Sequence, residues 1–215
     1  MSYRRTESVI TRLEDNRTRI LRAARELVAE GGWRMAHVAT IAQMAGLATG
    51  TVYRYFPSKA DLYTQVLSQV SSRERDIVAS IVDSEGPAPD RLKGAVQVFA
   101  SRALRGRRLA YALIGEPCDP EIDQARLVWR TALSNEFVRL IDGGQRAGAF
   151  RKCDPRIAGA CVVGAFMEAL LGPLAPEAVG DTEAAERLIA EISENCLALI
   201  AAEPEPRQPR LRRIE

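Results

Sequence analysis

Residues 36–62, AHVATIAQMAGLATGTVYRYFPSKADL, restrict the fold of this chain more than any other stretch. Val38, Ile41, Ala42 and Ala45 stand at i, i+3, i+4 and i+7, one face of a short helix. Gly46 follows at once, and a helix stops most cheaply on a left-handed residue, which glycine adopts without a Cβ clash. Leu47 is then placed to fold back onto the helix just ended. A second short helix is predicted from about Thr49 to Phe56, with Val52 and Phe56 four apart as its buried stripe. Pro57 drives Phe56 out of helical geometry and ends it. Two short helices joined by a tight glycine-containing turn make a helix-turn-helix, whose second helix enters the DNA major groove.

The outward face of the second helix carries suitable groups. Thr49, Gly50 and Thr51 lie at its N-terminus, where free backbone N–H groups and the helix dipole favour phosphate. Gly50 weakens a helix, and close approach of backbone to DNA is a reason to keep it. Tyr53, Arg54 and Tyr55 bring hydroxyl and guanidinium donors, and Lys59 follows the turn. Thr40 on the first helix completes the candidate set. Such donors set register on phosphates, while threonine methyls and hydroxyls read base edges.

In these residues the chain resembles the TetR family of bacterial one-component repressors. The resemblance is carried by Ile41-Ala42, Ala45-Gly46-Leu47, GTVYRYF at 50–56, Ser58-Lys59 and Leu62, and covers about residues 17–65. One departure is local: family members often carry a threonine pair where this chain has Ala36-His37, so a threonine cap is missing and His37 is a weak substitute. The resemblance implies an all-α fold. A three-helix DNA-binding head would precede a C-terminal helical bundle that binds a small-molecule effector and forms a homodimer through the last two long helices.

Charge agrees with that head. Net charge over the 215 residues is only +2, but residues 1–60 hold 10 Lys/Arg against 5 Asp/Glu, and residues 61–215 hold 20 against 23. The positive field therefore lies where the motif lies. Cys118, Cys153, Cys161 and Cys196 form no CxxC pair, and with a single histidine no zinc site or other cofactor is expected. No apolar segment follows Arg4 and Arg5 as in a secretory signal, and Glu168 breaks the longest apolar run. A cytoplasmic protein with reduced thiols and no membrane span is expected.

Residues 1–57 form the expected DNA-binding domain. Residues 1–10 read as a mobile basic arm, reaching a neighbouring groove or serving as a plain tail. A helix to Glu30 follows, capped at Thr11, Asp15 or Asn16, with Ile20, Ala24, Leu27 and Val28 buried and Gly31-Gly32 as its stop. Trp33 is expected as a packing wedge. Ser58-x-x-Asp61 opens a rod of about 25 residues, roughly 37 Å long, joining head to body. Residues 58–202 form the expected effector-binding and dimerisation domain. Its helices are set off by Gly86-Pro87-Ala88-Pro89, Gly106, Asp119-Pro120, Asp154-Pro155, Gly172-Pro173 and Asp181-Thr182. Residues 203–215, rich in proline and arginine, read as a disordered tail.

Within the body, the helix from Arg156 to Leu171 lacks a polar face and is rich in small residues. Such a helix must be covered on all sides, by a second subunit or within its own. Phe99, Tyr111, Trp129, Phe137, Phe166 and Met167 are the candidate lining of an apolar effector pocket, or simply core. Arg102, Glu116, Arg126, Arg130 and Glu168 are its candidate polar groups. His37 lies in the head, so the body has no histidine for a catalytic triad, and an enzyme is not expected. The expected function is a DNA-binding regulator, a repressor released from a double-stranded operator by a small molecule. The alternative is the same DNA-binding fold controlled by a protein partner or by no ligand.

Overall fold

A computed structural model describes residues 2–178 and 181–202, and of residues 2–11 the backbone alone. Among these residues the chain forms nine helices and no strand, with one isolated bridge between Phe150 and Ala201. The head consists of α1 (Ser2–Gly31), α2 (Val38–Met44) and α3 (Thr49–Tyr55). The body consists of α4 (Lys59–Val82), α5 (Ala88–Arg105), α6 (Arg107–Ile114), α7 (Pro120–Arg146), α8 (Pro155–Leu174) and α9 (Thr182–Ala198).

The expected turn forms as its glycine demands. Gly46 has φ +64°, Leu47 N–H donates to Ala42 O at 2.9 Å, and Gly46 N–H donates to Gln43 O at 3.0 Å. This pair of bonds satisfies the last carbonyls of α2. His37 stands at the N-cap of α2 without a side-chain bond, as expected of a poor substitute for threonine. Phe56 is extended before Pro57, and Ser58 and Asp61 form a reciprocal capping box that starts α4.

Three boundaries differ from expectation. The stretch read as an arm, residues 1–10, is helical from Ser2 onward: no glycine or proline precedes Gly31, so nothing stops α1 from propagating backward. α5 begins inside the Gly-Pro-Ala-Pro loop, because Pro89 falls in the first turn, where its missing N–H is not needed. α8 runs through Gly172-Pro173 to Leu174, since a proline in the last turn displaces little. The proposed tail, residues 203–215, lies outside the described residues.

α4 leaves the head and packs along α7 and α5, α7 packs on α8, and α9 lies on α5. α8 has the length and composition of a bilayer span, with a mean hydropathy of 1.8. Glu168 does not prevent that. One side of α8 is buried on the body through Val162, Val163, Phe166, Met167 and Leu170. A Cβ on Gly159 would meet Val138 at 3.0 Å and Ser134 O at 3.1 Å, so this glycine lets α8 lie close against α7. The other side, with Ile157, Ala160, Cys161, Gly164 and Glu168, is exposed, Ile157 to 65%. A Cβ on Gly164 would meet nothing within 4 Å. The small residues thus divide between the two faces.

Candidate nucleic-acid interface and effector cavity

α3 is held by one fully buried residue, Val52, and by Phe56 just beyond it. The rest of its surface points away from the body. Thr49, Gly50, Tyr53 and Arg54 are exposed, as is Lys59, while Thr51, Tyr55 and Thr40 are half-buried. An added Cβ on Gly50 would meet nothing within 4 Å, so nothing inside the chain requires a glycine here. Tyr55 Oη accepts a hydrogen bond from Asn16 Nδ2 at 3.2 Å, which ties the end of α3 to α1. Lys59 Nζ stands 5.1 Å from the Tyr63 ring centroid. Arg19 donates to Ala45 O at 2.5 Å and Arg17 to Gln65 at 2.9 Å, so both serve the fold of the head.

Head and body are clasped through α6. Trp33, read as a wedge, sits between them: its Nε1–H donates to Ala112 O at 2.7 Å and its backbone N–H to Glu116 Oε2 at 3.1 Å. Arg108 donates to Gly31 O at 2.7 Å and to Glu116 Oε1 at 3.0 Å. Tyr63 on α4 lies tilted against Trp33, centroids 4.8 Å apart, and donates its hydroxyl to Ala36 O, with Trp33 O a second acceptor at 3.2 Å. Burial holds the Tyr63 phenol well above its ordinary pKa. From the other side, buried Arg126 on α7 donates to Ala112 O, Leu113 O and Glu116 O, and Arg130 to Ile114 O. These arginines satisfy the free carbonyls at the C-terminus of α6. Glu116, Arg126 and Arg130 therefore belong to the clasp rather than to a pocket.

Two cavities lie beside it. An open one of about 790 Å³ separates α4 from α7 and is lined by Ser68, Ser71, Ser72, Arg75, Gln124 and Trp129 among others. A second, of about 330 Å³, lies between α4, α5 and α6 against Val70, Phe99, Ala103, Leu109, Leu113 and Trp129. Of the six candidate pocket residues, Phe99 and Trp129 line these spaces. Phe166 backs Phe99 at 4.9 Å between centroids, and Phe137 backs Phe166 at 5.8 Å, both fully buried. Met167 is core, and Tyr111 lies under the Arg108 guanidinium at 5.8 Å. Arg102 reaches the inner cavity wall but is held by Glu74 through two bonds of 2.7 Å. Glu168 is exposed on the outer face of α8. The serine face of α4 was missed by sequence reasoning, although Ser68, Ser71, Ser72 and Arg75 fall at i, i+3, i+4 and i+7.

A surface helix-turn-helix clasped to a helical body with two cavities is an arrangement suited to binding DNA. Comparison with known proteins places it further. Residues 20–66 match the family described as bacterial regulatory proteins, tetR family. It is 28% identical over 143 residues to the HTH-type transcriptional repressor KstR2 of Rhodococcus jostii, covering 63% of this chain and 68% of that one. It is 24% identical over 157 residues to the fatty acid metabolism regulator protein of Bacillus subtilis, covering 69% and 78%. The crystal structure of FadR from Bacillus subtilis in complex with stearoyl-CoA superposes with a TM-score of 0.70 at 23% identity, covering 85% of this chain and 96% of that one. FadR from Bacillus halodurans gives 0.70 at 22% identity, with 84% and 97% covered. At these identities the superpositions speak for the fold.

Proposed function

We propose that the protein is a homodimeric repressor acting in the bacterial cytoplasm, released from a near-palindromic operator by a small-molecule effector. Residues 1–57 read DNA, and residues 58–202 carry the effector site and the dimer surface. Thr49 and Thr51 meet base edges, and Gly50 lets the backbone approach. Arg54, Lys59, Tyr53, Tyr55 and Thr40 hold phosphates or flank them. The observation that carries the regulated part is the position of α6, which lines the inner cavity with Leu109 and Leu113 and grips the head with Ala112 and Arg108, aided by Glu116 just past its end. A molecule that displaces α6 strains the bonds to Trp33 and Gly31, and α4 tilts with the head it carries. A dimer reads two half-sites at fixed separation, about 34 Å or a multiple, so a small tilt lowers affinity. The relatives named as repressors support the repressor reading, and a similar fold crystallised with stearoyl-CoA supports a mainly apolar effector.

The test is reciprocal titration. Operator DNA is first selected from the host genome, and a metabolite library is screened by melting temperature. A compound that binds is then titrated with and without operator, and operator with and without the compound. A coupling of about 5- to 150-fold, equal in both directions, is the expected result. Equal affinities with and without DNA would remove the effector mechanism and favour control by a protein partner.

A further inference from the structure

Ser71 on α4 and Trp129 on α7 are the residues that both cavities share. Ser71 is 3% exposed and Trp129 7%. Ser71 Oγ and Trp129 Nε1 are both sealed from solvent and lack a hydrogen-bond partner among the described residues. A helical serine has a backbone carbonyl of the preceding turn within reach, and Ser80 and Ser193 use theirs, on Ile77 and Ala190, whereas Ser71 is buried without doing so. Buried polar groups are nearly always paired, so two orphans in one wall call for an absent partner.

Resting on the effector reading above, we propose that the two cavities are one effector channel, closed at its middle by Ser71 and Trp129, and that the effector carries a neutral carbonyl oxygen that accepts from both. A carbonyl oxygen has two lone pairs and no proton, which suits one O–H and one N–H donor. A neutral group is favoured because Arg102 holds Glu74 and Arg75 holds Asp76 at 2.9 Å, while Arg105, at the rim of the inner cavity, is exposed to solvent. The inner cavity is apolar, and its roughly 330 Å³ takes about ten heavy atoms at roughly 30 Å³ each, the share of a water in the liquid. The outer cavity is open and carries Thr64, Ser68, Ser72 and Gln124. The ligand class that fits is an acyl ester or thioester. Its chain of about ten carbons lies in the inner cavity, and its polar alcohol or thiol portion lies in the outer one.

Calorimetry on the full chain tests this with three probes: S-decanoyl-N-acetylcysteamine, its S-decyl thioether, and free decanoate. The thioester should bind at least roughly tenfold tighter than the thioether, because only the thioester pairs the buried donors. Ser71→Ala and Trp129→Phe should each bring that ratio toward one by weakening the thioester more than the thioether, and a cooperative melting transition near that of the unaltered protein shows that the variants fold. Equal binding of thioester and thioether to the unaltered protein overturns the carbonyl, as does tightest binding of decanoate. Binding of none of the three overturns the acyl class. Operator release by some other compound would then leave the effector reading standing, whereas a library that shifts no melting temperature would sink both.

Discussion

Arg126 shows what a single residue contributes here. Its guanidinium is buried and gives hydrogen bonds to three carbonyls at the end of α6. Arg126→Met removes the charge but orphans Leu113 O and Glu116 O, with Ala112 O still served by Trp33. A loss of about 2–5 kcal/mol is expected in urea unfolding, more than a surface ion pair gives. Burial also acts on titration. The Cys118 and Cys196 thiols are pushed up to about 11, chiefly by desolvation. Both groups have folded pKa values above their ordinary 9, so their contribution is fully present below about pH 9. It is lost as pH rises toward 11, where the unfolded chain releases protons first. Urea midpoints measured from pH 8 to 11 should fall over that window, and at pH 8 both thiols should resist alkylation. On the proposed DNA face, Arg54→Ala should weaken binding to all sequences and flatten the salt dependence, whereas Thr49→Ala should change sequence preference; filter binding on a panel of operators separates the two.

Among the elements, α6 is the one with two duties. It is eight residues long, too short to be stable alone, and both ends are held by other helices. Trp33→Phe keeps the ring against Tyr63 and deletes only the Nε1–H bond to Ala112 O. Operator and effector should each still bind, with stability down by about 1 kcal/mol. The coupling between them should shrink toward unity, as seen in the paired titrations. If coupling survives in Trp33→Phe and in Arg108→Met alike, the signal does not pass through the clasp.

For the whole molecule the outward side of α8 matters most. In the homodimer proposed above, this apolar face, with Ile157 at 65% exposure and open space above Gly164, is the surface that meets the second copy. Gly164→Glu should give a monomer in sedimentation at micromolar concentration and lose operator binding, because a close helix contact has no room or partner for the carboxylate. Cys161 on the same face reports independently. It should be shielded from a thiol reagent in the native protein and labelled in Gly164→Glu.

Much of this was legible in the chain itself. The head is built from local signals: a helix stop at Gly46, a break at Pro57 and a capping box at Ser58 and Asp61 act through neighbouring atoms, so they read directly from spacing. Asp119-Pro120, Asp154-Pro155 and Asp181 marked helix starts for the same reason. The candidate pocket was only partly legible. Phe99 and Trp129 line the cavities, yet Phe137, Phe166 and Met167 are core, because helical periodicity says which residues turn inward and not whether the space they face is filled. The clasp was not legible at all. Trp33, Glu116 and Arg126 are separated by up to 93 residues in sequence, and only the folded chain brings them to the end of α6. The orphaned donors of Ser71 and Trp129 belong to the same class, since the absence of a partner is a property of three-dimensional neighbours.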